Sequence, residues 1–400
     1  MAMGVMERAV VGAILKRIEQ PPELIQLVTG PRQVGKTTAA RQVMAHWVGA
    51  GHYAAADLPL PPGPEWIEVQ WDIARRRATA QTVLLVLDEV QKVRGWSEVV
   101  KALWDEDRAR GRALEVLLLG SSALLLARGA ADSLAGRYFL HRCSHWSWPE
   151  CRSAFDWDLD TWLWFGGYPG AAPLVGDEDA WRAYIADSLV EAVIARDVLG
   201  MQTVAKPALL RNLFALSTRF PAQLRSYTKM LGQLHDAGNT TTLAHYLRLL
   251  ETAYMVSGLE RFSAGHARSR GSSPKLVVWN NALVTALSLR SFRDGREDPV
   301  FWGHLVENAV GAHLLNHLQG LPFEVTYWRE RDLEVDFVVR AGNTLWAIEV
   351  KSGLPGKGRG IAAFREQHPK ARALVVGPGG MPLDEFFEAN PAQLLTPPRA

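Results

Sequence analysis

The chain has 400 residues, of which 48% are hydrophobic and 22% are charged, and its formal net charge is +2. This length exceeds what one ordinary hydrophobic core needs and predicts two or three folded domains. The composition excludes a largely disordered chain. A net charge so close to zero gives no argument for nucleic acid binding, although a basic patch can lie within a balanced total.

The amino-terminal segment predicts an amphipathic helix and not an export signal. Glu7, Lys16 and Arg17 interrupt the apolar run that a signal peptide needs, and no stretch approaches the length of a membrane span. Cys143 and Cys151 are too far apart for a CxxC pair, and no cluster of His or Cys follows at metal-ligand spacing. We expect a cytoplasmic protein with no membrane association, disulfide or zinc site.

Apolar runs and helical patterns alternate over the first part of the chain. The runs ELIQLVTG, QTVLLVLDEV and ALEVLLLGSS each end in polar residues, and a helical pattern at 97–110 separates the second from the third. RYFLHRC is a fourth candidate strand. This alternation predicts an α/β fold with a parallel sheet and helices on both faces.

The segment GPRQVGKT, residues 30–37, has the P-loop pattern GxxxxGK[ST] between a predicted strand and a predicted helix. The backbone N–H groups of such a loop cradle phosphates. Lys36 is expected to reach the β- and γ-phosphates, and Thr37 to bind Mg²⁺. The cofactors predicted are ATP and Mg²⁺. The other residues predicted to bind nucleotide are Gly30, Pro31, Arg32, Gln33, Val34, Gly35 and Thr38.

Two acidic residues, Asp88 and Glu89, end the second of these apolar runs. Downstream of a P-loop they predict a Walker B motif, in which Asp88 holds Mg²⁺ and Glu89 polarises the attacking water. The next strand ends in Ser121 and Ser122. A polar side chain there is placed either to sense the γ-phosphate or to cap the following helix, and the sequence leaves both open.

The order of these motifs resembles that of AAA-type ATPases. In that superfamily an arginine after the sensor strand enters the active site of a neighbouring subunit, and Arg137 in DSLAGRYFL occupies the corresponding place. The resemblance implies a catalytic arginine finger and a homo-oligomer such as a ring. A surface salt bridge is the alternative for Arg137. The turn GGYPG similarly resembles a lid turn whose proline, here Pro169, touches the adenine.

Residues 204–262 predict a winged helix that contains a short Gly-containing turn between two helices. Lys229, Thr242, His245 and Arg248 are expected to face outward and to contact the phosphates and base edges of DNA. Docking to a protein is the alternative for such a segment. The nearby basic residues, for which a solvated linker is the alternative, are Arg261, Arg268, Arg270 and Lys275.

The stretch LEVDFVVRAGNTLWAIEVKSG, residues 333–353, predicts a hairpin that carries unexpected charges. A two-residue Gly-Asn turn places Asp336 directly opposite Glu349, and opposed like charges are destabilising. Lys351 lies on the same face as Glu349 because side chains alternate along a strand. Two carboxylates with an ammonium group suit a divalent metal.

The spacing of Asp336, Glu349 and Lys351 resembles that of PD-(D/E)xK nucleases, in which the two acids bind Mg²⁺ and the lysine positions or activates water. Glu307 on the preceding helix matches an additional acid that some of these enzymes carry. The order helix, strand, hairpin, helix, strand also agrees. The resemblance implies that Glu307 is a further metal ligand. A solvated strand face is the alternative, and this fold often persists with altered chemistry.

The whole chain is similar to a prokaryotic family of AAA ATPases that carry a carboxyl-terminal domain of unknown function. The motifs that carry the similarity include TGPRQVGKTT, LDEVQKV, SLAGR, GGYP, EAVIARDV, LVENAV, EVDFVV and IEVKSG. The predicted domains are an AAA-type ATPase core at 1–150, a helical lid at 151–203, a winged-helix-like domain at 204–272 and a restriction-endonuclease-like domain at 273–400.

The function that we expect is an oligomeric, Mg²⁺-dependent ATPase that binds DNA and remodels or processes it. The sequence leaves open whether the nuclease-like site cleaves. The alternative is a nucleotide-dependent regulatory switch, in which the winged helix and a degenerate nuclease-like domain bind protein partners.

Overall fold

The structure is a computed structural model that describes residues 6–20, 23–78, 82–121, 133–201, 204–234, 238–263, 273–353 and 358–396. The chain divides into two compact units. The first comprises Met1–Ser144 and Ala195–Thr203, and the second comprises His145–Ile194 and Val204–Ala400. The segment 151–203, predicted as one helical lid, is therefore divided between the two units.

A five-stranded parallel sheet forms the centre of the first unit. Its strands are β1 (Ile25–Gly30), β2 (Gly51–Ala55), β3 (Val83–Asp88), β4 (Leu114–Ser121) and β5 (Tyr138–Arg142). They lie in the order β2-β3-β4-β1-β5. Every residue of β1, β3 and β4 is buried, which explains their continuous apolar runs. The predicted α/β fold with a parallel sheet is confirmed.

In the described part of the first unit, four α-helices accompany this sheet. They are α1 (Ala9–Ile18), α2 (Lys36–His46), α3 (Glu65–Arg77) and α4 (Trp96–Ala109). The core of the unit includes the buried indole rings of Trp71, Trp96 and Trp104, which pack with residues of β3 and β4. Because all strands are parallel, their carboxyl ends meet along one edge of the sheet. That edge carries the ends of β1, β3 and β4, where the P-loop and the two downstream polar motifs begin.

Helices make up most of the described chain between the first sheet and residue 252. Its α-helices are α5 (Trp148–Phe155), α6 (Leu159–Phe165), α7 (Glu178–Ala183), α8 (Pro207–Arg219), α9 (Tyr227–Gln233) and α10 (Thr240–Thr252). Other helical turns lie at Pro169–Leu174, Tyr184–Val190, Val193–Val198 and Leu199–Met201.

A small antiparallel sheet follows α10. Its strands are β6 (Val256–Leu259) and β7 (Lys275–Val278). The connection between α8 and α9 extends its edge, because Leu224 forms a bridge with Lys275 and the Arg225 N–H donates to the Pro274 carbonyl at 3.0 Å.

The last part of the second unit contains a four-stranded sheet and several helices. The helices are α11 (Ala282–Thr285), α12 (Phe292–Glu297), α13 (Pro299–Leu318), α14 (Arg359–Gln367), α15 (Leu383–Glu388) and α16 (Pro391–Leu394). The strands are β8 (Phe323–Glu330), β9 (Leu333–Ala341), β10 (Thr344–Val350) and β11 (Arg372–Val376), in the order β11-β10-β9-β8. Only β10 and β11 are parallel.

The hairpin of β9 and β10 has the predicted register. Ala341 lies opposite Thr344, and the pairing continues without a shift to Phe337 opposite Ile348. Gly342 has a φ of 59°, the left-handed conformation that this two-residue turn favours. None of the described helices has both the length and the apolarity that a membrane span requires.

Candidate functional site

The P-loop joins β1 to α2 and has little room at its first residue. A Cβ atom on Gly30 would lie 2.0 Å from the carbonyl oxygen of Cys143, which follows β5. Glycine is therefore required for this close approach of two backbones. Gln33 and Gly35 adopt positive φ angles of 61° and 89° within the loop.

Arg8, which lies outside the P-loop, forms hydrogen bonds with it. No sequence motif marks this arginine. Its guanidinium donates to the carbonyl oxygen of Val34 at 3.0 Å and to that of Ser144, also at 3.0 Å. The side chain is buried. These hydrogen bonds link the P-loop to the residues after β5. The partners lie far apart in sequence, so local sequence patterns do not reveal the contact.

Lys36 begins α2, and its side chain is buried against the loop. Its ammonium group donates to the carbonyl oxygens of Gly30 and Pro31 at 3.0 and 2.7 Å. Burial lowers the pKa of Lys36, because the charged form loses hydration. The cation is therefore held at the loop whose backbone is expected to cradle phosphates.

Thr37 and Asp88 meet between α2 and the end of β3. The Thr37 hydroxyl donates to Asp88 Oδ2 at 2.6 Å. These are the two side chains predicted to hold Mg²⁺, and their hard oxygen atoms suit that ion. The residues present therefore fit the predicted metal, which supplies positive charge against the phosphate oxygens when bound.

Glu89 follows directly and is held by two contacts. It has a φ of 53°, and its N–H donates to Asp88 Oδ1 at 2.8 Å. The amide of Gln91 donates to Glu89 Oε2, also at 2.8 Å. The carboxylate predicted to polarise water is thus oriented by the residues that follow the strand.

Ser121 lies beside the P-loop, because it pairs with Gly30 in the register of β4 and β1. Its hydroxyl is buried and has no hydrogen-bond partner among the residues that the structure describes. Buried polar atoms are normally hydrogen-bonded, so an unpartnered hydroxyl here fits a ligand oxygen. Ser122 lies outside the described residues.

Tyr53 on β2 also belongs to this site, although no motif marks it. Its hydroxyl donates to Asp88 Oδ2 at 2.9 Å. Burial, together with the charge of Asp88, raises the pKa of Tyr53 to about 12, so the phenol keeps its proton and remains a donor.

Arg32, in the P-loop, forms a bidentate ion pair with Asp197. Its Nε and Nη2 atoms donate to the two carboxylate oxygens at 2.7 and 2.6 Å. Asp197 is buried and belongs to the motif EAVIARDV. The pair gives this motif a structural role, since it fastens the segment Ala195–Thr203 to the loop of the same unit.

The carboxyl-terminal hairpin brings together a set of acids different from the one predicted. Carboxylate oxygens of Glu307, Glu334 and Asp336, here called the acidic cluster, lie within 4.8 Å of one another. Glu334 is two residues before Asp336 and so shares its strand face. Glu349 does not belong to this set, and its role as a ligand beside Asp336 and Glu307 stays a prediction.

Glu349, on β10, instead forms an ion pair with Lys351, which directly follows the strand. They are two residues apart on one strand face, so their opposite charges meet without help from another element. Asp336 accepts the N–H of Val350 at 2.7 Å. The other carboxylate oxygen of Glu349 is buried without a partner among the described residues.

Lys275, at the start of β7, occupies the acidic cluster. Its Nζ atom lies 2.5 Å from Glu307 Oε1, 3.1 Å from Glu334 Oε1 and 3.7 Å from Asp336 Oδ1. It was predicted within an exposed basic run, but its side chain is fully buried. Arg268 and Arg270 of that run lie outside the described residues.

The acidic cluster does not fit a divalent ion as it stands. Its carboxylates are the ligands that Mg²⁺ prefers. The ammonium of Lys275, however, already lies against all three of them. Burial raises the pKa of Glu307 to about 7, even though the lysine acts in the opposite direction. No metal-dependent step is therefore derived from these residues.

The glycines of the GGYP turn have a packing reason in the second unit. A Cβ atom on Gly166 would lie 2.0 Å from Asn280 Oδ1, and one on Gly167 would lie 2.2 Å from the Trp146 carbonyl oxygen. Pro169 begins the helical turn Pro169–Leu174 in the same unit. Its contact with an adenine stays a prediction.

Residues 23–151 match a family of AAA domains. Together with the geometry of Lys36, Thr37 and Asp88, this match decides the nature of the first unit. This segment is an AAA-type P-loop ATPase domain. Residues 156–294 and 302–394 match two domain families of unknown function, DUF8612 and DUF4143.

Relatives resemble this chain over most of its length. An uncharacterized protein of Mycobacterium tuberculosis is 28% identical over 380 residues, which cover 93% of this chain and 81% of that protein. One from Haemophilus influenzae is 22% identical over 355 residues, which cover 83% and 84%. The similarity therefore includes the ATPase domain and the segments after it.

A solved structure of the Aeropyrum pernix ORC1 protein in complex with DNA is also similar. The match has 13% sequence identity and a TM-score of 0.31, and it covers 72% of this chain and 94% of that one. A TM-score this low carries no argument about function.

Arg137 of the ATPase domain is engaged within its own chain. Its Nε and Nη2 atoms donate to the two carboxylate oxygens of Asp105 at 2.8 and 3.0 Å. This is the surface salt bridge named as the alternative to an arginine finger. The finger itself stays a prediction, because an exposed ion pair is weak enough to exchange partners.

Proposed function

We propose that the protein is an oligomeric, Mg²⁺-dependent ATPase that binds DNA through its middle segment and remodels it. The observation that carries the ATPase part is the 2.6 Å contact between the Thr37 hydroxyl and Asp88 in an AAA-type domain. The DNA-binding part rests on the order and exposure of α8, α9, α10, β6 and β7.

Each residue of the ATPase site has a definite role in this proposal. Lys36 and the loop N–H groups bind the phosphates, while Thr37 and Asp88 hold Mg²⁺. Glu89, oriented by Gln91, accepts the hydrogen bond of the attacking water. The unpartnered hydroxyl of Ser121 donates to the γ-phosphate.

The order of α8, the bridge at Leu224, α9, α10 and the β6-β7 sheet supports a winged helix, with α10 as the recognition helix. Leu243, Tyr246, Leu247 and Leu250 bury one face of α10 at helical spacing. His245 and Arg248 on α10 and Lys229 on α9 are exposed, as expected. Thr242 is only half-exposed, because its hydroxyl donates to the helix-capping Asn239 at 3.0 Å.

We infer a restriction-endonuclease-like fold for the carboxyl-terminal domain from the order α13, β8, β9, β10, α14 and β11. Cleavage is not part of the proposed function, because the ammonium group of Lys275 lies against all three acids of the cluster where the metal was expected. Docking of a protein partner on the winged helix is the alternative to DNA binding.

The test compares ATP hydrolysis and DNA affinity for duplex, junction and single-stranded DNA. We expect DNA to stimulate hydrolysis by the wild type. Arg248→Ala should weaken binding and lower the slope of log affinity against log salt by about 1, since one phosphate contact is lost. The matched control is Arg365→Ala, which removes an exposed arginine from α14.

The two parts of the proposal fail separately. If no DNA form binds at low salt while ATP is hydrolysed, the DNA part is wrong and protein docking is favoured. If Arg365→Ala weakens DNA binding as much as Arg248→Ala does, α10 is not the recognition helix.

A further inference from the structure

We propose that Lys275 is the resident cation of the acidic cluster, in the place that a divalent ion would take, so that the carboxyl-terminal domain binds no catalytic metal there. A built-in ammonium group then offsets part of the negative charge of Glu307, Glu334 and Asp336. The inference concerns the second unit and does not depend on the ATPase domain.

Three carboxylates surround the charged group of Lys275. An ammonium group has three N–H donors, and here one carboxylate oxygen of each acid lies 2.5 to 3.7 Å from Nζ. The side chain has 0% exposure, so water cannot solvate the charge. A buried cation persists only when it is paired, and the cluster supplies the partners.

A divalent ion has no vacant position between the same oxygen atoms. Ions of this kind sit about 2.0–2.6 Å from their oxygen ligands. An ion that used these three carboxylates would lie against the ammonium group and repel it. Metal binding therefore requires Lys275 to leave the cluster.

The surrounding structure opposes such a departure. The backbone of Lys275 pairs with Leu259 in β6 and forms a bridge with Leu224, so the residue is held from both sides. Its Nζ atom also lies 5.1 Å from the centre of the Phe337 ring, at a distance where cation and ring attract.

The second acid of the predicted nuclease site is neutralised in a similar way. Glu349 contacts the ammonium of Lys351, which directly follows β10. The two hairpin acids expected to bind the metal, Asp336 and Glu349, thus each lie against a lysine of this chain. The residue pattern of a metal site remains, whereas these lysines offset part of its negative charge.

Lys275 has a structural consequence as well. Its backbone belongs to the β6-β7 sheet, while its side chain bonds Glu307 on α13 and Glu334 on β9. The lysine therefore fastens the sheet that follows α10 to the carboxyl-terminal domain.

The test counts Mn²⁺ ions bound by the full chain, by electron paramagnetic resonance and without nucleotide. Asp88→Asn serves as the background, because it removes the metal ligand of the P-loop site. We expect no stoichiometric Mn²⁺ site in this background up to millimolar Mn²⁺. Lys275→Met, which keeps the unbranched stem of the side chain and removes its ammonium group, should create one site per chain.

A matched control is Lys370→Met, which removes the charge of an exposed lysine and should create no site. Lys275→Met should also lower the Tm in EDTA, and Mn²⁺ should raise it again. If Lys275→Met fails to fold, the number of Mn²⁺ ions bound by each Asp88→Asn chain still tests the proposal.

One Mn²⁺ per chain in the Asp88→Asn background, lost on adding Asp336→Asn, would overturn the proposal. So would Mn²⁺-dependent DNA cleavage by the wild type that Asp336→Asn abolishes. Neither result bears on ATP hydrolysis, so failure here is distinguishable from failure of the proposed function.

Discussion

The carboxylate of Asp88 is held by three donors from three parts of the ATPase domain. Thr37 and Tyr53 donate to Oδ2 at 2.6 and 2.9 Å, and the N–H of Glu89 donates to Oδ1 at 2.8 Å. A carboxylate with so many partners keeps one orientation. A metal ligand that is oriented in this way binds its ion more tightly.

Tyr53→Phe should therefore lower kcat for ATP about tenfold and raise the Mg²⁺ concentration at half-maximal rate. The reason is the loss of one hydrogen bond to a charged group, which contributes about 1.5 kcal/mol. The Tm should change little, since the ring remains. The measurement is steady-state hydrolysis across a Mg²⁺ titration.

Tyr138→Phe makes the same chemical change on β5, where the ring packs against the core of the first unit. It should leave the Mg²⁺ dependence unchanged. Equal Mg²⁺ curves for Tyr53→Phe and the wild type would show that Tyr53 does not position Asp88.

Among the elements, β4 carries an unusual charge near its beginning. Both carboxylate oxygens of Glu115 are buried without a hydrogen-bond partner in the described part of the chain. Burial raises the pKa of Glu115 to about 8, from an ordinary value of 4.5. The folded state therefore keeps a proton that the unfolded state releases between these two pH values.

This difference in pKa makes the free energy of unfolding depend on pH. The contribution of Glu115 to the free energy of unfolding is greatest below pH 4.5, where both states are protonated, and falls as the pH rises to about 8. The loss is at most about 1.4 kcal/mol per pH unit. Glu115→Gln should raise the Tm of the ATPase domain at pH 8 far more than at pH 5. Equal shifts at the two pH values would contradict a buried, protonated Glu115.

Strand and hairpin predictions succeed where the signal is local. The apolar runs of β1, β3 and β4 predict buried parallel strands, and a Gly-Asn turn sets the register of β9 against β10. The contacts of Tyr53, Asp197 and Lys275 were missed because each joins elements far apart in sequence. Local periodicity and turn chemistry contain no information about such partners.

The same distinction applies to the candidate sites of the whole molecule. The P-loop and the Asp88-Glu89 pair are short motifs that the sequence shows directly. The structure brings Thr37 and Asp88 together, and the roles assigned to these residues stay predictions. The hairpin acids were assigned from the register of the hairpin, together with the resemblance to the nuclease motif, the helix glutamate and the order of the elements. The register of the hairpin gives no information about Lys275, which lies on a separate strand. This lysine contacts both Asp336 and Glu334.

The predicted oligomer gives a test of Arg137 at the scale of the assembly. If Arg137 acts in a neighbouring subunit, mixing Lys36→Ala with Arg137→Ala should yield more ATP hydrolysis than either variant alone, because some interfaces pair an intact P-loop with an intact arginine. Hydrolysis as a function of mixing ratio measures this. The gain should vanish when the variants are assayed separately.

Asp105→Ala is the matched control, since it breaks the salt bridge of Arg137 and keeps the arginine. It should retain hydrolysis under the finger hypothesis. If Asp105→Ala loses as much activity as Arg137→Ala, and mixing gives no gain, the salt bridge and not a finger explains the residue.

ATP hydrolysis by Lys36→Ala tests the central claim most directly. The ammonium of Lys36 is held at the P-loop carbonyl oxygens, 2.7 and 3.0 Å away, where phosphates are expected. The account predicts hydrolysis by the wild type that EDTA abolishes, a loss of about 100-fold or more in Lys36→Ala, and full activity in Lys16→Ala, which removes an exposed lysine from α1. Hydrolysis by Lys36→Ala at the wild-type rate would contradict it.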